Sequence, residues 1–410
     1  MNSDFDVVIV GGGAAGIGAA RRLASSGLAT LLLEAGSRLG GRAHTQEIAG
    51  LDLDLGCGWM HSAEKNAWVA IADDAGIQLD QSRAAWGTQY HDLGFAAGEQ
   101  AMARQGFERW TRRLADVRST SDRASDALDP GNSWNTYIRD VVGYISGAQL
   151  EDLSATDYLA YDEASTESNW RSPSGLGALI AGSFPAGVTL RLATPVQAIG
   201  VEGPGVTVAT ARGTLRARAA ILTVSTAVLA GESISLPVQL DPWRAAAKLL
   251  PLGHNEKLFL EIVGDAPFET ETQVIGDPRA RCTGSYYIKP LDLPVVECFL
   301  GGESARMAQE LGSAAAFAFA LDQLAGLFGA DIRGRLRPLT ASSWSRSVRV
   351  GGAYSYALPG QAGARQLLAK PFEQRVFFAG EATCADEFST AHGAHDSGVR
   401  AADEAIVALS

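Results

Sequence analysis

The chain has 410 residues, 46% of them hydrophobic and 20% charged, with a formal net charge of −12. That length exceeds one ordinary compact domain, and the balance excludes a disordered chain, a collagen-like chain and a small disulfide scaffold. The acidic total disfavours a nucleic-acid binder, which usually presents a basic face, and no run approaches the roughly 20 apolar residues that cross a bilayer.

Two compositional features depart from the average. Glycine is 46 of 410 residues, about 11%, where about 7% is usual. Basic residues are lopsided: 29 arginines against five lysines, at 65, 248, 257, 289 and 370. The four cysteines, Cys57, Cys282, Cys298 and Cys384, form no C-x-x-C and no zinc spacing. They read as free thiols in a reducing compartment. The expectation is a cytoplasmic protein with no bound metal and no membrane attachment; the first residues carry no basic region before an apolar stretch.

The chain opens on Asp6–Val10, a short β-branched run that predicts a buried parallel strand. Gly11-Gly12-Gly13-Ala14-Ala15-Gly16 follows at once, and Ala14 to Ser26 has helical spacing. A second apolar strand, Ala29 to Leu33, ends on Glu34. Gly11 permits the tight turn, Gly13 lets a pyrophosphate approach the backbone, and Gly16 lets helix and strand close together. The helix start then offers free N–H groups to the phosphates. Glu34 can accept both hydroxyls of an adenosine ribose, and an acid there disfavours a 2′-phosphate. FAD and NAD remain open at this point.

The next segment separates them. Glu34-Ala35-Gly36-Ser37-Arg38-Leu39-Gly40-Gly41-Arg42 resembles the E-A-x-x-R-x-G-G-R segment of flavoprotein oxidoreductases. Leu55-Gly56-Cys57-Gly58-Trp59-Met60-His61 resembles L-G-x-x-W-x-H, and Gly253–Glu261 resembles G-x-x-x-K-x-F-L-E. Trp344, Gly351-Gly352 and Tyr354-Ser355 resemble W-x(n)-G-x-Y-S. Phe377–Thr383 matches F-F-A-G-E-A-T, and Thr390–Gly398 resembles T-x-H-G-A-x-x-S-G. Together these segments resemble the flavin-dependent amine oxidases, the superfamily of monoamine and polyamine oxidases and lysine demethylases.

The resemblance implies FAD contacts at Gly11, Gly13, Ala15, Gly16, Glu34, Ala35, Arg42, Gly58, Trp59, Val196, Trp344, Gly380, Glu381, Thr390 and Ala391. It implies that Lys257 acts at the flavin N5 edge and that Tyr354 stands beside the flavin face. Ala353 occupies the place of the cysteine that bonds to flavin in mitochondrial monoamine oxidases, so non-covalent FAD is expected. Thr390 falls where those enzymes carry a second cage tyrosine, so small arylalkylamines are not implied. His61, Thr390 and Tyr356 are candidate substrate contacts; a buried strand with a satisfied histidine is the plainer reading of His61.

The expected fold class is α/β and α+β: a Rossmann-like FAD-binding domain with a central parallel sheet, interrupted by a mixed-sheet and helical substrate domain. The first would comprise 1–75, 180–235 and 335–410, and the second 76–179 and 236–334. Within them, Val188–Ile199 is expected as one strand, and 304 to about 327 as one helix. The expected activity is oxidation of an amine C–N bond to an imine by hydride transfer to flavin N5, with molecular oxygen as acceptor. The alternatives are a flavin desaturase of the phytoene or protoporphyrinogen type and a non-catalytic FAD-stabilised binding module.

Overall fold

The computed structural model describes residues 3–410. Two sheets organise them. The first runs in the order Thr189–Arg191, Thr30–Leu33, Phe5–Val10, Gly213–Leu222, Val206–Thr210 and Val196–Gly200, with Val376–Phe378 also paired to Gly213–Leu222. Its centre is parallel: Phe5–Val10 pairs in parallel with Thr30–Leu33 and Gly213–Leu222. Val7, Val8, Ile9, Leu31 and Leu32 are fully buried there, as strands covered on both faces require. The meander of Val196–Gly200, Val206–Thr210 and Gly213–Leu222 is antiparallel. The mostly parallel sheet with flanking helices is the fold class expected.

One face of this sheet carries two close-packed helices, Ala14–Leu23 and Ala391–Leu409. Glycine makes the approach possible. A Cβ on Gly18 would lie 2.4 Å from the carbonyl oxygen of His395, and one on Gly398 would lie 2.0 Å from that of Ala15.

The second sheet is antiparallel, in the order Thr272–Ile275, Ser285–Ile288, Val295–Gly301, Asn255–Ile262 and Leu336–Ala341. Strand alternation splits its residues. Leu258, Leu260, Val274, Tyr286, Val296, Cys298 and Leu300 pack with Phe317 and Leu324 of the covering helix. Lys257, Phe259, Tyr287, Glu297 and Phe299 face the other way, into a cavity.

Two expected elements divide. The segment 304–327 is not one helix but two, Gly302–Leu311 and Ser313–Phe328, because Gly312 sits at φ +86° between them. The expected strand Val188–Ile199 is two, Thr189–Arg191 and Val196–Gly200. Ala193 turns the chain at φ +47°, just before Pro195. No helix among the described residues is long and apolar enough to cross a membrane.

Candidate active site

A cavity of about 1390 Å³ lies where the two sheets meet; its wall takes residues from Gly11 to Ala15 at one end and from the second sheet at the other. The strand-to-helix turn builds the first end. Gly11 takes φ +109°, and a Cβ on Gly16 would stand 1.9 Å from the Gly11 carbonyl oxygen. The helix Ala14–Leu23 has no side-chain cap, so its first N–H groups stay available where Gly13, Ala14 and Ala15 line the cavity. Thr390 caps the helix Ala391–Leu409 by accepting from Gly393 N at 3.0 Å, and Thr390, Ala391 and Ala394 also line the cavity. Two helix N-termini therefore bring positive dipole ends to one space.

Glu34 stands at the tip of Thr30–Leu33. Its carboxylate accepts from the N–H of Gly12 at 2.7 Å and of Gly36 at 2.6 Å. A carboxylate has about four acceptor sites, so two remain for a ligand. Arg42 donates to the Ala353 carbonyl at 2.6 Å and pairs with Glu381 at 2.9 Å. Burial opposes the charge on Glu381, but Arg42 and Arg365 outweigh it and hold the carboxyl below its ordinary value. Uncapped N–H groups, a pinned carboxylate and a partly exposed guanidinium are the donor and acceptor set that a flavin dinucleotide needs.

At the other end Lys257 is 7% exposed. Its Nζ lies 2.9 Å from Glu297 Oε1. Burial opposes its charge, but Glu297 and then Asp54 outweigh that and hold the ammonium above its ordinary value. Burial, with Asp54 beside it, pushes the Cys57 thiol up to about 12.

Aromatic rings form much of the remaining wall. Trp59 packs against Trp86 at 4.3 Å and Tyr287 at 5.9 Å. The Arg171 guanidinium lies 4.6 Å over the Trp59 ring and is paired with Asp80 and Glu271. His61 Nδ1 sits 2.6 Å from Asn169 Oδ1, an acceptor, so Nδ1 carries the proton and Nε2 the lone pair. Burial lowers the pKa of His61, so its imidazole is neutral at pH 7.

Most of the expected site residues meet here. Ala15, Ala35, Gly58, Trp59, His61, Val196, Lys257, Trp344, Tyr354, Gly380, Glu381 and Ala391 all line the cavity with those described above. Two do not. Gly16 lies behind the wall, packed on Gly11. Tyr356 is turned away and packs against the helical cluster around Trp110 and Tyr158, because Tyr354 sits in a bend before the isolated bridge at Ser355 and the two residues do not share a regular strand face. Sequence reasoning missed Asp54, Arg171, Tyr287 and Glu297. For Glu297 a signal existed: it is the one charged residue in the otherwise apolar run Val295–Leu300. Among the described residues no group of three His, Cys, Asp or Glu could hold a metal ion.

A family model described as flavin containing amine oxidoreductase matches residues 14–406. Polyamine oxidase 4 of Oryza sativa subsp. japonica is 28% identical over 437 residues, covering 97% of this chain and 88% of that one. Polyamine oxidase 2 of Arabidopsis thaliana is 27% identical, covering 97% and 87%. Among solved structures, wild-type putrescine oxidase bound to putrescine is similar in fold, with a TM-score of 0.78 at 18% identity over 98% of this chain and 99% of that one.

Proposed function

The chain belongs to the flavin-containing amine oxidoreductases, and from that premise we propose that it oxidises a C–N bond of a small amine to an imine, with molecular oxygen reduced to hydrogen peroxide. Non-covalent FAD, when bound, supplies the hydride acceptor at N5 and the path for electrons to oxygen. On this reading residues 1–75, 180–235 and 335–410 hold the cofactor, except that the strand Leu336–Ala341 pairs into the second sheet, and 76–179 and 236–334 close over it.

The observation that carries the reading is the Lys257 ammonium, buried and ion-paired on the wall of the same cavity that receives both helix N-termini. Glu34 would accept from the ribose, and the helix starts with Arg42 would hold the pyrophosphate. Ala353 offers no nucleophile to the flavin. Cys57, on the cavity wall, is held protonated and is a poor one. Tyr354, Trp59 and Tyr287 wall the space and exclude water around the reacting carbon.

Proton handling divides between two groups. Lys257 is held cationic, so it is a donor and not the base that takes the amine's proton. His61, neutral with Nε2 unpaired and on the cavity wall, would accept a hydrogen bond from the neutral amine, while burial disfavours its protonated form.

The test is product formation. Purified protein given primary amines, diamines and polyamines in air should consume oxygen and release one peroxide per aldehyde formed after imine hydrolysis. Peroxide absent with every amine would contradict the reading.

A further inference from the structure

The strands Asn255–Ile262 and Val295–Gly301 pair antiparallel, with Lys257 opposite Phe299 and Phe259 opposite Glu297. Lys257 and Glu297 are thus diagonal neighbours on the cavity face, within reach of long side chains. Their charged ends meet at 2.9 Å, with side chains 9% and 19% exposed. An ammonium buried to that degree is costly without a partner.

Two other titratable groups face it. Asp54 is already committed: its carboxylate accepts from Leu176 N at 2.9 Å, Gly177 N at 3.2 Å and Thr45 Oγ1 at 2.5 Å. Cys57 carries a protonated thiol. The Gly58 backbone packs close to the ammonium, since a Cβ there would stand 3.4 Å from Nζ and 3.3 Å from Asp54 Oδ2. Among the described residues the Glu297 carboxylate makes no other hydrogen bond or ion pair, so it serves Lys257 alone.

We propose that Glu297 is a positioning residue for Lys257: it anchors the ammonium at one point of the cavity wall and keeps it charged during turnover. Burial opposes that charge, and Glu297 contributes most to overcoming it, ahead of Asp54. Neutralising Glu297 therefore leaves a lysine that releases its proton more readily. The sign follows: the lysine's charge, present at low pH, is lost at a lower pH than before. The role assigned to Lys257 rests on the proposed amine oxidation, but the titration does not.

The small number of lysines makes the test direct. Lysine labelled with ¹⁵N in the FAD-loaded protein gives five Nζ signals, and Lys257→Met assigns the one that matters. In the wild type, Lys257 should remain an ammonium above the ordinary lysine range. Glu297→Gln should move the Lys257 midpoint down and leave the other four in place. Glu297→Asp should keep it near the wild-type value. In the kinetics, Glu297→Gln should bring the alkaline loss of amine-dependent flavin reduction to lower pH. A wild-type Lys257 that titrates at or below the ordinary lysine value would overturn the proposal, whether or not the variant folds. So would a Lys257 midpoint unmoved in Glu297→Gln. Absence of amine oxidation with a normal Lys257 titration would instead sink the functional reading alone.

Discussion

Gly16→Ala is expected to yield protein without flavin. The added Cβ would stand 1.9 Å from the Gly11 carbonyl oxygen and 3.2 Å from Thr223 Oγ1. The carbonyl is backbone and cannot rotate away. Either the helix Ala14–Leu23 lifts from the strand Phe5–Val10 or the turn at Gly11 opens. Both displace the N–H groups that would face the pyrophosphate. Overpacking of this kind costs about 1–3 kcal/mol. The check is flavin absorbance per chain, together with the thermal midpoint. Full flavin content and an unchanged midpoint would refute the account of this turn. Gly27→Ala is the control, since a Cβ there meets nothing within 4 Å. Gly27 has φ +77°, so some local strain but no flavin loss is expected.

Asp157→Asn or Arg365→Met should destabilise the protein by about 3–5 kcal/mol, because each leaves a buried charge without its partner. Both side chains of this pair are 1% exposed. The contact is bidentate, with Arg365 Nε 2.6 Å from Asp157 Oδ1 and Nη2 2.8 Å from Oδ2. Arg365 also lies 3.5 Å over the Phe388 ring. The damage should reach the cavity. Arg365 donates to Ser355 Oγ at 2.9 Å, Ser355 donates to Glu381 at 2.7 Å, and Glu381 holds Arg42. The combined Asp157→Leu and Arg365→Met variant should lose less than either single change, since it removes both charges together. Denaturant unfolding of the three variants measures this. Singles within about 1 kcal/mol of the wild type would show that the pair carries little of the fold.

How much of this was legible beforehand follows from what each residue answers to. Gly11, Gly13 and Gly16 answer to local backbone geometry, so a strand, a turn and a helix start announce them. Lys257 was legible because lysine is scarce in this chain and falls in a recognisable strand. Glu297 was not. Its meaning depends on the antiparallel register that puts it diagonal to Lys257, 40 positions away, and register is a tertiary property. Asp54 was hidden for a similar reason: it alternates in Leu51–Leu55 like any half-exposed strand residue, and only the helix Leu176–Gly182 shows what its carboxylate binds. Gly312 had the opposite fate. An isolated glycine in a helical pattern is usually tolerated, and here it ends one helix and begins another. Tyr356 was misplaced because the two-residue spacing from Tyr354 suggests a shared strand face, and the bend at Tyr354 breaks that alternation.

The central claim is that an amine delivers electrons to a flavin held in this cavity. Anaerobic mixing of the flavin-loaded protein with a panel of amines, followed by flavin absorbance, measures that transfer without oxygen or peroxide chemistry. The prediction is bleaching of the oxidised flavin band by at least one amine, at a rate that saturates with amine concentration. An absorbance unchanged by every amine, in protein whose flavin is still bleached by dithionite, would contradict it.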